Sequence, residues 1–467
     1  MKNSKNILHI TNNDYDGAGR AVSRLNDNLN NIGVKSNVLV LYKKSNNNKI
    51  ISLGTGMTFK EIFLYILKKK FLCNYKFYND LVNKFIFRIT KIIFIKIYNP
   101  KNLYNFNKSI YSLDKFKPYL KNVDVIVLHS IQEIISTKDI LDIYKISGIK
   151  IIFHPLDMEM LTGGYHFSYD CHCYKTGKCN SQKHNMNKIS EKAYHLKIDL
   201  LNKIPITWVA TNNFILNRIR NSKIFSNNHN IETVFLSIDK NLYKSYSKKE
   251  SRNILNIDVN KKIILFGCFD FMDLRKGSFI LKKITKSLDN YKYKDNKIMI
   301  ATYGELNGFK ICNDFIEWRH FGLINSSTTM NYLYRSSDIM INPSLDDMGP
   351  TTFQEAFLNN LYVVSFNMGL AKDLIFENIN GNIISNFDVD QFVNRTINKL
   401  INDNKNEHEY AENINITKMK KFCSHDYEAK HFLKIFNFQQ LDWISLVVSS
   451  LIFAIYCRHR HLPLDKQ

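Results

Sequence analysis

Runs of five to seven aliphatic and β-branched residues recur along this chain with helical stretches between them. They stand at Ile7–Thr11, Asn37–Leu41, Val123–His129, Lys150–His154 and Ile206–Ala210, and after a polar interval the series restarts at Ile263–Gly267, Ile298–Tyr303, Asp338–Asn342 and Tyr362–Phe366. A short continuous apolar run is the mark of a strand buried on both faces, and parallel strands must be joined by crossovers, usually helices. The pattern therefore predicts parallel α/β structure formed twice. The break falls within 237–251, where the segment NLYKSYSKKES is polar and lacks an apolar period. Domains over 1–236 and 237–429 are expected, with an apolar and basic tail over 430–467. Each half of the 467 residues is long enough to bury its own core. With 45% hydrophobic against 23% charged residues, a disordered polycation is excluded, and 17 Gly with 7 Pro exclude collagen-like chains.

Lys and Arg number 65 against 42 Asp and Glu, a net charge of +23. Such an excess asks for an anionic partner, whether nucleic acid, an acidic membrane or a phosphate-bearing substrate. The abundance of Lys, Asn and Ile offers a plainer origin in AT-rich coding, and charge alone does not decide between them. Two segments depart from the strand–helix pattern. The stretch 59–98 is aromatic and basic, with nine Lys or Arg against two acids, and Ile62, Phe63, Ile66 and Leu67 recur at helical spacing. It reads either as an amphipathic insertion lying on anionic lipid or as helices packed on the first sheet. The stretch Trp443–Cys457 is apolar over 15 residues, short of the ~20 that a spanning helix needs, so a buried terminal helix or a marginal anchor is expected. The N-terminal MKNSKNILHIT enters a strand-like run without a long apolar region before it, and a cytoplasmic location is the expectation.

Three loops carry residues suited to binding an anionic ligand. Asn12 to Arg20 follows the first strand with Gly17 and Gly19, which let backbone approach a ligand at a helix N-terminus. It is not the three-glycine dinucleotide fingerprint. In the second half, Asp273-Leu274-Arg275-Lys276-Gly277 precedes a helix, where adjacent cations sit against the positive end of a helix dipole unless something negative joins them. A bound diphosphate would supply that charge. The third loop follows the strand DIMIN as PSLDDMGPTTFQEA, with Asp347 in the loop and Glu355, eight positions on, in the early helix. Loop and helix can thus aim two carboxylates into one cleft at the sheet's C-terminal edge, where open α/β sheets bind ligands. Asp388-Val389-Asp390 stands before an amphipathic helix and is expected to cap it.

The segment around Asp347, with RKG at 275–277 and DGAGR at 16–20, resembles nucleotide-sugar-dependent glycosyltransferases of family 4. The stretch Asp157–His166, with Cys171 and Cys179 beyond it, further resembles the branch that builds colanic-acid, O-antigen and capsule-type polysaccharides. The resemblance runs from about residue 5 to about 425 and implies a GT-B fold, two Rossmann-like domains facing across a cleft. It implies a retaining transferase that needs no metal and no cofactor. Glu355 would then hold the donor ribose, and Asp347, a position where Glu is usual, would meet the sugar hydroxyls. The amides of Met348 and Gly349 would also meet the sugar. Arg275 and Lys276 would neutralise the diphosphate, with Gly17 and Gly19 touching it on closure. His154 and Asp157 are candidates in the first domain, because Leu156 takes the place of the His that many relatives carry. The implied partners are a nucleoside diphosphate sugar and a glycan or lipid-linked glycan acceptor, at the inner face of the cell membrane, with no nucleic acid. The competing function is a non-catalytic basic binding protein for anionic lipid or nucleic acid.

Cys171, Cys173 and Cys179 lie near His166, His172 and His184. Gaps of one and five residues between the cysteines do not match the usual paired zinc spacing, so a loop of free thiols is expected in preference to a structural zinc site.

Overall fold

The computed structural model describes residues 5–54, 89, 91, 104–169, 171–181, 184–239, 246–290, 298–311, 316–385, 387–401 and 423–437. They form two all-parallel sheets. The first has seven strands: β1 (Asn6–Asn13), β2 (Lys35–Tyr42), β3 (Ile50–Ser52), β4 (Val125–Leu128), β5 (Lys150–Phe153), β6 (Ile206–Ala210) and β7 (Asn230–Thr233), in the order β3-β2-β1-β4-β5-β6-β7. The second has six: β8 (Lys262–Asp270), β9 (Ile298–Glu305), β10 (Glu317–His320), β11 (Ile339–Asn342), β12 (Tyr362–Phe366) and β13 (Gly381–Ile384), in the order β10-β9-β8-β11-β12-β13. In each sheet the chain builds outward from a first strand and then returns to build the other way. That reversal creates a switch point, between β1 and β4 in one sheet and between β8 and β11 in the other.

Both faces of each sheet are buried, which is why the central strands read as unbroken apolar runs. In the first sheet Leu8, Ile10, Ile126 and Leu128 enter one core, while their neighbours Ile7, Val125 and Val127 enter the core on the opposite face. The second sheet repeats this, with Ile264, Phe266 and Ile341 on one side and Ile263, Leu265 and Met340 on the other. The helix Gly17–Asn31 follows β1 and buries Val22, Leu25 and Leu29; it gives way at Gly33, where φ is +84°. As expected, Asp388 caps the helix Val389–Ile401, its carboxylate accepting from the Gln391 amide at 2.9 Å.

The helix His425–Asn437 comes after the second sheet in sequence but packs on the first. Its Ala429, Phe432, Ile435 and Phe436 share a core with Ile7, Leu25, Leu29 and Val34. At its start Glu428 is buried and accepts from Ser237 Oγ (2.7 Å), the Ser237 amide (3.1 Å) and Asn28 Nδ2 (2.9 Å), tying the chain's return to the connection leaving the first sheet. The boundary expected between 429 and 430 therefore falls inside a helix, because that helix supplies apolar cover the first sheet lacks. The basic segment 59–98, apart from Ile89 and Lys91, and the apolar stretch 443–457 lie outside the described residues. Among the described residues, no helix is long and apolar enough to cross a membrane.

Candidate functional site

The loops that follow β8 and β11 flank the switch point of the second sheet, and they are locked together. The Leu345 amide donates to the Arg275 carbonyl at 2.7 Å, and Arg275 Nη1 donates to the Asp346 carbonyl at 3.0 Å. Gly277 has φ +72°, and a Cβ there would lie 2.0 Å from the Pro343 carbonyl oxygen. Glycine is thus required for the two loops to approach this closely. Arg275 and Lys276 occupy a 3₁₀ turn, Leu274–Lys276, ahead of the helix Phe279–Asn290. Both find negative charge within the chain. Arg275 pairs with Asp273 at 2.8 Å and reaches Asp347 at 3.5 Å, while Lys276 pairs closely with Asp347. Burial raises the Asp347 carboxyl, but the Lys276 and Arg275 charges outweigh it and hold the group below the usual aspartate range. The Gly349 amide lies 3.4 Å from the same carboxylate. Glu355 stands in the first turn of the helix Thr352–Leu358, where it accepts from the Tyr334 hydroxyl at 2.8 Å, and that hydroxyl also meets Tyr303 Oη at 3.1 Å.

The first domain closes onto these loops at Asp346, which is 1% exposed. One carboxylate oxygen accepts from the amides of Ser168 and Tyr169, both at 2.7 Å, and the other lies 3.4 Å from Arg218. The Phe167 ring packs beneath the Arg275 guanidinium, 4.1 Å from its centre. Met348 turns its side chain into the first domain's core, and its carbonyl accepts from Asn212. Gly349, with φ +153°, leaves room for that amide: a Cβ would sit 2.8 Å from Asn212 Nδ2.

Around the first sheet, Asp16 caps the helix Gly17–Asn31 by accepting from the Gly19 amide at 2.7 Å. A Cβ on Gly19 would lie 2.3 Å from the Asn13 carbonyl, so strand–helix packing already demands glycine there, whereas Gly17 faces open space. Asp157 accepts from His166 Nδ1 at 2.8 Å. Burial opposes the charge on that imidazole, but Asp157 outweighs it and raises the pKa above the ordinary histidine value. His154 is the other first-domain candidate. It is 1% exposed and enclosed with His9 and His129, its Nδ1 3.2 Å from His129 Nδ1, and burial lowers its pKa to about 3.

Residues 247–416, which contain both second-domain loops, match the family described as glycosyl transferases group 1. Sucrose-phosphate synthase from Thermosynechococcus elongatus is similar in structure at TM-score 0.61 and 11% identity, over 92% of this chain and 98% of its own. The molecule has the GT-B fold. A glycosyltransferase from Rickettsia africae ESF-5 aligns with this GT-B chain at TM-score 0.59 and 14% identity, covering 93% of it and 98% of the relative. Anabaena Alr3699/HepE, solved in complex with UDP, gives 0.58 and 13%, covering 92% and 99%. No curated protein matches the chain.

The structure brings Arg275, Lys276, Asp347, Met348 and Gly349 together at one switch point, with Glu355 on the helix that leaves it. Sequence reasoning missed Asp346, the contact between the domains, and His166, the partner of Asp157. Asp346 was visible as one of two adjacent acids, but its partners are main-chain amides that no sequence pattern announces.

Proposed function

We propose that the protein is a retaining transferase that moves a sugar from a nucleoside diphosphate onto a glycan or lipid-linked glycan of a surface polysaccharide. The observation that carries the reading is the placement of Arg275 and Lys276 at the second sheet's switch point, with Asp347 against both and Glu355 on the adjoining helix. Departure of a nucleoside diphosphate develops negative charge, and preorganised cations stabilise that charge more in the transition state than in the ground state. A donor diphosphate competes with Asp347 for the two cations. Once displaced, that carboxylate is free to accept from the sugar hydroxyls, so donor binding arms the residue expected to orient the sugar. Glu355, fixed by Tyr334, suits a pair of ribose hydroxyls because an ionised carboxylate accepts two hydrogen bonds in one plane. The presence of UDP in Alr3699/HepE supports this class of donor. Tight contact at Asp346 keeps water from the reacting sugar when the cleft is closed. Peripheral contact with anionic membrane through 59–98 belongs to the same proposal and rests on that segment's nine basic residues against two acids.

The test is sugar transfer from labelled nucleoside diphosphate sugars to glycan and lipid-linked glycan acceptors. Glu355→Gln is expected to lower kcat/KM by about 100-fold or more with an unchanged circular dichroism spectrum. Full activity in that variant would remove Glu355 from the donor site.

A further inference from the structure

We propose that Cys171, Cys173, Cys179 and His184 bind one zinc ion, which fixes the first-domain segment that contacts the donor loops. The sequence spacing argued for free thiols, but folding overrides spacing. The four ligand atoms, drawn from a short stretch between the two domains' contact and the helix Asn187–Leu201, all lie within 4.8 Å of one another, and all four residues are buried. A tetrahedral zinc with Zn–S of about 2.3 Å and Zn–N of about 2.0 Å holds its ligand atoms roughly 3.5–3.8 Å apart, so the cluster is already near the size the ion needs. Cys179 Sγ is 3.1 Å from Cys171 Sγ and 2.7 Å from His184 Nδ1.

The surroundings of His184 select the correct nitrogen. Its Nε2 is 3.0 Å from the Phe167 carbonyl, an acceptor only, so Nε2 carries the proton and Nδ1 turns a lone pair toward the cysteines. An imidazole that donates its second N–H to a backbone carbonyl is the usual support for a ligating histidine. Tyr165 stacks on the same ring at 3.7 Å and 11°, fixing its plane. His166 and His172, the other histidines expected as possible ligands, do not join: His166 is held by Asp157, and His172 lies edge-on to Tyr174. Three sulfurs and one nitrogen gathered in a buried cluster favour zinc among the common divalent ions. Zn²⁺ replaces the three thiol protons, which leave to solvent, and the site carries one net negative charge.

The position gives the ion a purpose. His184 bonds to the Phe167 carbonyl; Phe167 underlies Arg275, and the next two amides hold Asp346. Metal binding therefore fixes, through a single hydrogen bond, the backbone that holds the second domain's loop in place.

Full-length chain purified from cells grown with added zinc is expected to contain about one zinc per chain by mass spectrometry, falling below about 0.2 in the Cys171→Ser, Cys173→Ser double variant and unchanged in the control Cys423→Ser. If the double variant does not fold, exchange of the wild-type metal for Co²⁺ decides: the visible spectrum of tetrahedral cobalt with thiolate charge transfer is the expected result. Wild-type chain with less than about 0.1 zinc and no such cobalt spectrum overturns the proposal. Iron or copper in zinc's place, or full zinc retained by a folded double variant, overturns it too.

Discussion

At Gly277 the chain adopts φ +72° directly after the two cations, and the Pro343 carbonyl occupies the space a side chain would need. Alanine there must strain the backbone and separate the loops that follow β8 and β11. Gly277→Ala is expected to cost about 1–3 kcal/mol in urea unfolding; a loss under about 0.5 kcal/mol would contradict the packing described. The cations and Asp347 were legible in sequence because like charges before a helix and acids after a buried strand are unusual. Why glycine follows them was not legible, since the atom it avoids belongs to a loop more than sixty residues away. Asp347 illustrates the same limit. Its place in a loop after a buried strand was readable, but its pairing with Lys276 depends on two loops meeting.

Every strand expected from apolar runs is present, and the four that were not expected are the edges of the two sheets: β3, β7, β10 and β13. An edge strand is short and partly exposed, so it carries no continuous apolar run. In β7 the residues alternate between exposed and partly exposed, and β10, EWRH, is largely polar. The helix His425–Asn437 was not singled out in the sequence, where a boundary was drawn after 429, because an apolar stripe announces burial without naming the sheet that receives it. That sheet is the first one, although the helix follows the second in the chain. Phe432, fully buried, packs edge-on against His154 with ring centres 5.1 Å apart. Phe432→Ala is therefore expected to destabilise the first domain by about 3–5 kcal/mol, measured by hydrogen exchange of β1 and β4 amides. Protection lost only in β8 and β11 would contradict the assignment of this helix.

Across the whole molecule, the first domain buries a histidine trio whose ionisation couples folding to pH. His9 Nδ1 lies 2.9 Å from His129 Nε2, and burial with the nearby His154 lowers the His9 pKa to about 3. His129 is held well below 6.5 by burial and both neighbours. Unfolded histidines bind protons below pH 6.5 while the folded ones stay neutral, so the trio's stability is full above that value and lost as pH falls toward about 3. Asp347, depressed below 3.8, is ionised in both states until pH approaches 3.8 and adds no slope before then. Unfolding free energy should thus fall between pH 6.5 and about 5, and less steeply in His9→Gln; a flat profile would contradict neutral burial. Two sheets with matching switch points and loops that meet at Asp346 join the two domains beside the site proposed for the donor. The decisive measurement is thermal stability of the full chain with uridine, guanosine and adenosine diphosphates. One of them is expected to raise Tm, with about 2.7 kcal/mol of stabilisation at a hundredfold excess over Kd, and Arg275→Ala, Lys276→Ala is expected to abolish the shift. No shift with any of the three, or an equal shift in the double variant, would contradict it.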